Sequence, residues 1–341
     1  MKVNSGKDYK HLDKGDIPVY GTGGYMTSVS EPLSEIDAVG IGRKGTINKP
    51  YLLEAPFWTV DTLFYCTPKK ETDILFILSL FRKINWKVYD ESTGVPSLSK
   101  QTINKINRFV PTNKEQQKIG KFFSKLDRQI ELEEQKLELL QQQKKGYMQK
   151  IFSQELRFKD ENGNDYPEWE NVMLQKVLKD KTEGIKRGPF GGALKKDIFV
   201  ESGYAVYEQR NAIYDISNFR YYINENKYKE MQSFSVQPND IIMSCSGTIG
   251  RLALIPQNYT KGIINQALIR FRTNHKIRSE FFLIFMRSNQ MQRKILEANP
   301  GSAITNLVPV KELKLIPFPL PVKFEQDKIS QFILIINRRI E

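Results

Sequence analysis

One glycine-rich stretch of the sequence, IKRGPFGGALKKDIF at positions 185–199, has the residue types of a phosphate-binding segment. Basic side chains stand on both sides of its glycines, at Lys186, Arg187, Lys195 and Lys196. Glycine lets the backbone approach a phosphate closely enough for its N–H groups to donate hydrogen bonds. The stretch therefore predicts phosphate contacts. The alternative interpretation is a tight surface turn with solvated lysines.

Other polar side chains have the chemistry needed to read base edges. Arginine pairs well with guanine, whereas asparagine and glutamine pair well with adenine. Some of these residues follow the apolar run YAVY, and others stand at a similar place near the N-terminus. The rest flank two Gly-Thr-Ile triplets. The triplets themselves are typical of a turn at a strand end. These further candidate nucleic-acid contacts are Gln209, Arg210, Asn211, Tyr20, Thr22, Tyr25, Arg43, Lys44 and Arg251.

The motifs of common enzymes are missing from the sequence. There is no phosphate-binding loop of the P-loop type, and YGTGG is not followed by the amphipathic helix that a dinucleotide site needs. SCSGTIG lacks the spacing of a nucleophile elbow, and the two histidines, His11 and His275, have no cysteine or histidine cluster around them. We therefore expect no catalytic residue, no bound cofactor and no metal in this chain.

The composition favours a basic protein that contacts a polyanion at several places. The net charge is +13 and the pI is about 9.4, with the excess spread along the chain. A basic protein that binds no nucleic acid is the alternative. No apolar run is long enough to span a membrane, and the start has no apolar signal segment. Two isolated cysteines, Cys66 and Cys245, suit a reducing compartment, so we expect a cytoplasmic protein.

The elements that must position these residues occur twice. EQQKIGKFFSKLDRQIE at 115–131 returns as EQDKISQFILIINRRIE at 325–341, with eight identical positions. Weaker echoes precede both copies in the same order, including 94–116 with 301–326 and 37–50 with 240–256. The sequence therefore predicts an internal duplication of an α/β (α+β) domain followed by a long helix.

Shorter elements are predicted from local patterns. The apolar runs at 73–84 and 279–296 predict helices, and the run at 262–273 predicts a strand. The proline-rich run 316–321 must be extended, because proline denies backbone donors and holds the preceding residues out of the helical region.

The long helix is the clearest predicted element. Residues 114–152 contain no proline, and apolar residues recur in alternating steps of four and three, as in a coiled coil. Thirty-nine residues span roughly 58 Å, so we expect the helix to pair with the one that begins near Phe324. An amphipathic helix lying on a sheet is the alternative. The predicted helix-pairing residues are Ile119, Phe123, Leu126, Ile130, Leu137, Leu140, Tyr147 and Ile151, with Glu133 and Lys144 as polar members of the seam.

Several motifs together resemble those of type I restriction–modification specificity subunits. The 185–199 stretch resembles the GPFGS-x-LK segment of their target-recognition domains. SGKDYKHL with GDIPVYGTGG resembles the opening of another recognition-domain subtype. GTINKP with FWTVDTLFY, and SGTIG with GIINQAL, look like the family's central strands, and residues 114–152 look like its central conserved helix.

The resemblance implies a non-catalytic subunit that binds double-stranded DNA. Two target-recognition domains would each read half of a bipartite site, and an antiparallel helical pair would set the spacer and carry methyltransferase subunits. Restriction/translocase subunits would join, and S-adenosylmethionine, ATP and Mg would belong to these partners. The expected organisation is a first recognition domain at 1–110, a long helix at 111–152, a linker at 153–165, a second recognition domain at 166–320 and a second helix at 321–341.

The sequence departs from the family pattern at both ends. Repeat two has about 20 residues before its glycine-rich segment, whereas repeat one has only MKVNS, so we expect the first domain to be incomplete at its N-terminus. The second long helix stops at Glu341, so we expect either a fragment of a longer chain or a truncated or recombined gene. The seam of the first helix would then be open to a second copy of the chain. Two other functions remain open: a stand-alone or truncated bipartite DNA-binding protein that donates recognition domains, and an enzyme fused to a coiled coil.

Overall fold

The computed structural model of the protein describes residues 1–297 and 309–340. The chain forms two compact units, Met1–Lys136 and Leu137–Glu341, called unit 1 and unit 2 below. Both units combine helices with sheets, which confirms the predicted α/β (α+β) class. Part of the second repeat echo, residues 301–308, lies outside the described residues.

Unit 1 is built on two small sheets. The larger sheet has the strand order β1-β7-β4-β5 and is antiparallel, and the smaller sheet has the order β3-β2-β6. Its core contains Val39, Ile41 and Phe64 from the larger sheet. The elements before the long helix are β1 (Lys2–Ser5), β2 (Ile17–Gly21), β3 (Gly24–Val29), β4 (Ala38–Gly42), β5 (Tyr51–Leu53), β6 (Trp58–Thr59), β7 (Leu63–Thr67), α1 (Ile74–Lys83) and α2 (Lys100–Lys105).

Helix α1 closes the core of unit 1. It begins where the Asp73 carboxylate accepts the N–H of Phe76 at 2.9 Å, and it ends with Arg82 and Lys83, whose charge complements the helix dipole. Ile77 and Phe81 face the sheet from this helix. The apolar run that predicted a buried helix at this place is therefore confirmed.

The predicted long helix is present and continuous. α3 (Asn113–Phe152) begins in unit 1 and ends in unit 2, so the boundary between the two units falls inside it. Near its start, Gly120 lies so close to α1 that an added Cβ would stand 2.6 Å from the Asp73 carboxylate and 2.8 Å from the Phe76 nitrogen. Glycine at this position therefore lets α3 contact the beginning of α1.

Unit 2 contains three sheets around a larger core. The strand orders are β14-β13-β16-β9, β10-β12-β11-β15 and β17-β8. After α3 the elements are β8 (Glu170–Met173), α4 (Lys181–Gly184), β9 (Ile185–Arg187), β10 (Phe199–Val200), β11 (Tyr204–Tyr207), α5 (Gln209–Tyr214), β12 (Tyr222–Ile223), α6 (Glu225–Glu230), β13 (Ile241–Ser244), β14 (Leu252–Leu254), β15 (Gly262–Ile264), β16 (Leu268–Phe271), α7 (Ser279–Met286), α8 (Asn289–Glu297), α9 (Val310–Leu313), β17 (Pro317–Leu320) and α10 (Lys323–Ile340).

Two predicted elements are broken in the structure. The single helix expected over 279–296 divides into α7 and α8, because the Ser288 hydroxyl accepts the N–H of Met291 and starts a new helix. The strand-like run at 262–273 divides into β15 and β16, which belong to different sheets. The proline-rich run 316–321 was expected to be extended, and β17 confirms this.

A buried ion pair stabilises the central sheet of unit 2. Arg272 on the chain just after β16 donates to both carboxylate oxygens of Asp240, at 2.8 and 2.9 Å. Both side chains are buried, and such charges are tolerated in a core when they are paired with good hydrogen-bond geometry. The pair fixes the end of the β13–β16 ladder opposite the β13–β14 turn.

The end of α3 packs against α10 within unit 2. The ring centroids of Tyr147 and Phe332 lie 5.1 Å apart, and Phe158 contacts Phe332 from the other side at 5.4 Å. Residues 141, 144 and 145 of α3 line one cleft together with residue 340 of α10. Because later residues of α10 lie beside earlier residues of α3, the two helix segments run antiparallel.

Candidate nucleic-acid interface

The turn between β13 and β14 in unit 2 is the best-defined loop of the candidate interface. This reading loop, residues 245–251, contains the second Gly-Thr-Ile triplet. The Ser244 hydroxyl donates to the carbonyl oxygen of Thr248 and accepts the N–H of Arg251 at 3.0 Å. Gly247 and Gly250 have φ of 63° and 81°, a conformation that favours glycine. The loop therefore has a set shape and leaves Arg251 exposed.

Residues from distant parts of the chain meet beside the reading loop. Gln209 Nε2 lies 3.5 Å from the position of a Cβ on Gly247. The Arg187 guanidinium faces Cys245, where burial raises the pKa of the thiol to about 11 and Arg187 counteracts part of that rise. The Gly188 N–H donates to Leu268 at 2.9 Å, which holds the glycine-rich stretch against this end of β16. Arg187 and Gln209 therefore lie beside the reading loop, and Arg251 is the exposed residue at the end of that loop.

The other cations of the glycine-rich stretch differ in their surroundings. Lys186 lies over the ring of Phe234, with 4.8 Å from Nζ to the centroid, so part of its role is packing. Lys195 and Lys196 are exposed, and Phe190 between the two basic pairs is 88% exposed. Arg210 is half-buried in the first turn of α5. Of these cations, the exposed Lys195 and Lys196 are the ones available for phosphate.

Asn211 serves the fold rather than a ligand. It is only 2% exposed, and its side-chain oxygen accepts the N–H of Glu208 at 2.8 Å. Its amide group donates to the carbonyl oxygens of Ile216 and Asn218 at 2.8 and 3.1 Å. Because these bonds use both ends of the amide, Asn211 caps α5 and is removed from the set of base-reading candidates.

Unit 1 has a corresponding turn between β4 and β5. Arg43 and Lys44 are exposed at its start, and the Arg43 guanidinium lies 6.0 Å from the ring centroid of Phe64. The N–H of Gly45 donates to the carbonyl oxygen of Pro96 at 2.8 Å, so residues 96–98 support this turn. Arg43 directly follows the first strand of its hairpin, whereas Arg251 in unit 2 directly precedes the second strand.

The aromatic candidates of unit 1 lie together. Tyr20 and Tyr25 belong to the β2–β3 hairpin, and their ring centroids are 6.4 Å apart. Tyr51, at the start of β5, lies 6.2 Å from Tyr20 and donates its hydroxyl hydrogen to Gly21. Tyr25 is exposed and Thr22 is half-buried in the turn. The β2–β3 turn therefore lies beside the strand that leaves the Arg43 turn.

The predicted helix-pairing residues fall into three groups. Tyr147 contacts α10, and Ile151 is 1% exposed in the core of unit 2. Ile119 and Leu140 are half-buried. The remaining members are between 39% and 52% exposed: Phe123, Leu126, Ile130 and Leu137.

A buried glutamine near the start of α3 was not singled out from the sequence. Gln116 is 4% exposed; its Oε1 accepts the N–H of Asp73 at 3.2 Å and its Nε2 donates to the Pro111 carbonyl at 2.8 Å. The same amide thus joins the turn before the long helix to the residue that caps α1.

The second repeat contains the same clamp. Gln326 is fully buried; its Oε1 accepts the N–H of Arg278 at 2.7 Å and its Nε2 donates to the Pro321 carbonyl at 2.7 Å. Arg278 occupies the N-cap position of α7, as Asp73 does in α1, but only Asp73 caps its helix with its side chain. The signal was present in the sequence, since each copy has Pro five residues before Gln, but polar residues in a helix are usually solvated.

Over residues 1–297 and 309–340, no group of three or more histidine, cysteine or acidic side chains is placed to hold a metal ion. Helices long and apolar enough to cross a membrane are absent from the same part of the chain.

Comparisons with known proteins agree on one family. The family model of the type I restriction modification DNA specificity domain matches residues 2–142 and 190–341. The putative type I restriction enzyme MjaX specificity subunit of Methanocaldococcus jannaschii is 26% identical over 276 residues, covering 79% of this chain and 61% of the relative. The MjaVIII specificity subunit of the same organism is 24% identical over 327 residues, covering 90% and 71%. The chain thus spans less than two thirds of the MjaX relative.

Solved structures show the same fold. The S subunit of a type I restriction–modification system from M. genitalium has a TM-score of 0.62 at 14% identity, covering 99% of this chain and 87% of that one. A chain from a structure of the assembly and conformational transition of the type I R-M system has a TM-score of 0.54 at 13% identity, covering 96% and 85%. With the family model matching most of its length, the chain belongs to the type I restriction modification DNA specificity family.

Proposed function

We propose that this chain is the sequence-specific DNA-binding subunit of a type I restriction–modification complex. Each unit would read one half of a bipartite site in double-stranded DNA, and the chain itself would carry out no chemistry. Family membership, the net charge of +13 and the repeat of a hairpin turn with exposed cations support this function. Two unlinked, buried cysteines support a cytoplasmic location.

The observation that carries the proposal is the convergence of residues at the reading loop of unit 2. Arg187 and Gln209 come from two separate segments and lie beside this loop of set shape, which ends at the exposed Arg251. An arginine can form two hydrogen bonds to guanine, and a glutamine can do so to adenine; each such pair discriminates by about 1–3 kcal/mol. Lys195 and Lys196 would bind phosphate, which adds affinity without sequence preference.

In unit 1 the corresponding readers would be Arg43 and Lys44, together with Tyr20, Thr22 and Tyr25 of the neighbouring hairpin. Tyrosine and threonine hydroxyls can contact bases or phosphates. The two units differ in the residues at these turns, which is the arrangement that two different half-sites require.

Partner subunits would supply the catalysis. S-adenosylmethionine would bind to methyltransferase subunits, and ATP and Mg to restriction/translocase subunits. The exposed seam residues Phe123, Leu126, Ile130 and Leu137 offer an apolar stripe for these partners or for a second copy of the chain. Replacing Leu137 with Asp should weaken that association in sedimentation experiments and leave both units folded.

Selection of bound duplexes from a random library tests the function. We expect two specified blocks separated by an unspecified spacer of constant length. Arg251→Ala should relax preference at one position, whereas Lys195→Ala should weaken binding to all duplexes and reduce the salt slope by about one. Recovery of no motif would contradict the function. A motif without co-purification of a methyltransferase subunit would instead indicate a stand-alone DNA-binding protein.

A further inference from the structure

A large cationic cleft lies in unit 2, between the last turns of α3, the start of α8 and the end of α10. Its volume is about 1160 Å³. One acidic side chain, Glu155, is among its lining residues. The cations that line it are Lys144, Lys145, Lys150, Arg287, Arg293 and Lys294.

The charges on its walls suit a large anionic partner. Small-molecule sites usually measure about 300–1,000 Å³. This cleft is larger than that range, and its walls carry several positive charges. Across the described part of the chain, Lys145, Lys150, Arg293 and Lys294 form no ion pair. Their charge is therefore available to an anionic partner.

Gly146, in the middle of the α3 wall, leaves the cleft open at this point. At Gly120 the neighbouring helix α1 approaches α3 closely. At Gly146 an added Cβ would meet nothing within 4 Å, and the residue lines the cleft. Gly146 therefore leaves room in the cleft for an occupant.

The cleft is continuous with the reading loop. Arg287 lines the cleft, and its Nη2 donates to the Leu252 carbonyl at 2.6 Å, directly after the loop. Gln292, on the same helix as Arg293 and Lys294, donates to the Gly250 carbonyl at 3.0 Å. One short helix, α8, thus supports the loop on one side and supplies cations to the cleft on the other.

We propose that this cleft binds the sugar-phosphate backbone of duplex DNA that flanks the half-site read by unit 2. The inference rests on the proposed function, because a duplex seated on the reading loop continues past α8. That continuity favours DNA over an acidic segment of a partner protein. The cleft would add affinity and salt dependence without adding sequence preference.

The test compares two full-length variants of equal charge change. K145Q/K150Q/R293Q/K294Q neutralises the cleft, and K176Q/K179Q/K276Q/K323Q neutralises exposed lysines near the opposite end of α7. Affinity for the duplex that the wild-type chain selects is measured by fluorescence anisotropy between about 50 and 200 mM salt. We expect the cleft variant to select the same motif, to bind about tenfold or more weakly, and to lose up to about 3.6 units of salt slope, at about 0.9 for each of its four cations that contacts a phosphate. The control variant should keep most of the wild-type affinity and most of the salt slope.

A second variant separates sterics from charge. Gly146→Leu places a side chain in the cleft without changing any charge, and circular dichroism checks that the helix is intact. It should also weaken DNA binding. If both cleft variants bind the duplex as the control does, the cleft is not a DNA site. Loss of a co-expressed methyltransferase subunit with unchanged DNA affinity would assign the cleft to a protein partner and overturn the proposal. If the wild-type chain selects no motif, the proposed function itself fails.

Discussion

The same helix start has different surroundings in the two units. In unit 2, Glu325 is fully buried; it forms a salt bridge with Arg157 at 3.1 Å and accepts a hydrogen bond from the Trp169 indole at 2.8 Å. In unit 1 the equivalent Glu115 is exposed. Arg157 and Trp169 come from the segment between α3 and β8. Among the described residues of unit 1, no strand takes the place of β8 beside the turn before α3.

The glutamine that follows this glutamate behaves alike in both units. Gln116 and Gln326 each bind the residue at the N-cap position of the neighbouring helix and the proline before their own helix. The duplicated sequence therefore keeps the same local clamp in both units. The burial of the preceding glutamate depends on a segment that is particular to unit 2.

The largest expected effect distinguishes the two glutamates. Glu325→Ala leaves Arg157 and the Trp169 indole without their buried partner, so we expect a loss of about 3 kcal/mol in the stability of unit 2. Glu115→Ala should cause no measurable change. Hydrogen-exchange mass spectrometry reports protection for each unit separately. Equal effects at the two positions would contradict the assigned difference in burial.

The glutamines should respond alike. Gln116→Leu and Gln326→Leu each leave a buried N–H and a proline carbonyl unpaired, which costs about 2 kcal/mol. We expect faster amide exchange at Asp73 in the first variant and at Arg278 in the second, with no effect on the other unit. If only one of the two substitutions speeds exchange at its cap, the clamp is not shared.

The two glycines of α3 should respond in opposite directions. Gly120→Ala places a Cβ against the backbone of α1 and should destabilise unit 1 by about 1–2 kcal/mol. Gly146→Ala meets open space and should stabilise the helix by about 0.5–1 kcal/mol. Thermal unfolding of the two variants checks both signs. Destabilisation by Gly146→Ala would show a close packing partner at that point.

The sequence was sufficient for elements whose signal is local. The period of α3, the extended proline-rich run that became β17 and the apolar helix α1 all follow from spacing and residue type. The apolar period continues across the break between α7 and α8, so periodicity alone predicts one helix there. The break follows from Ser288, a typical N-cap whose hydroxyl accepts the N–H of Met291.

The candidate site depended on long-range contacts and was predicted less completely. Residue type alone predicts Arg187, Gln209 and Arg251 as base-reading candidates, but the placement of Arg187 and Gln209 beside the reading loop depends on sheet pairing. Asn211 is a candidate for the same reason, but hydrogen bonds from its amide to three backbone groups exclude it from the base-reading candidates. Glu325 could not be predicted as buried, because its partners lie 156 and 168 residues away in sequence.

Duplex selection with a triple alanine variant of unit 2 tests the central claim most directly. A chain in which Arg187, Gln209 and Arg251 are replaced with Ala, with unit 1 unchanged, is compared with wild type. The account predicts that one block of the recovered motif becomes unspecified, while the other block and the spacing stay the same. Loss of both blocks, or an unchanged motif, would contradict independent reading by the two units.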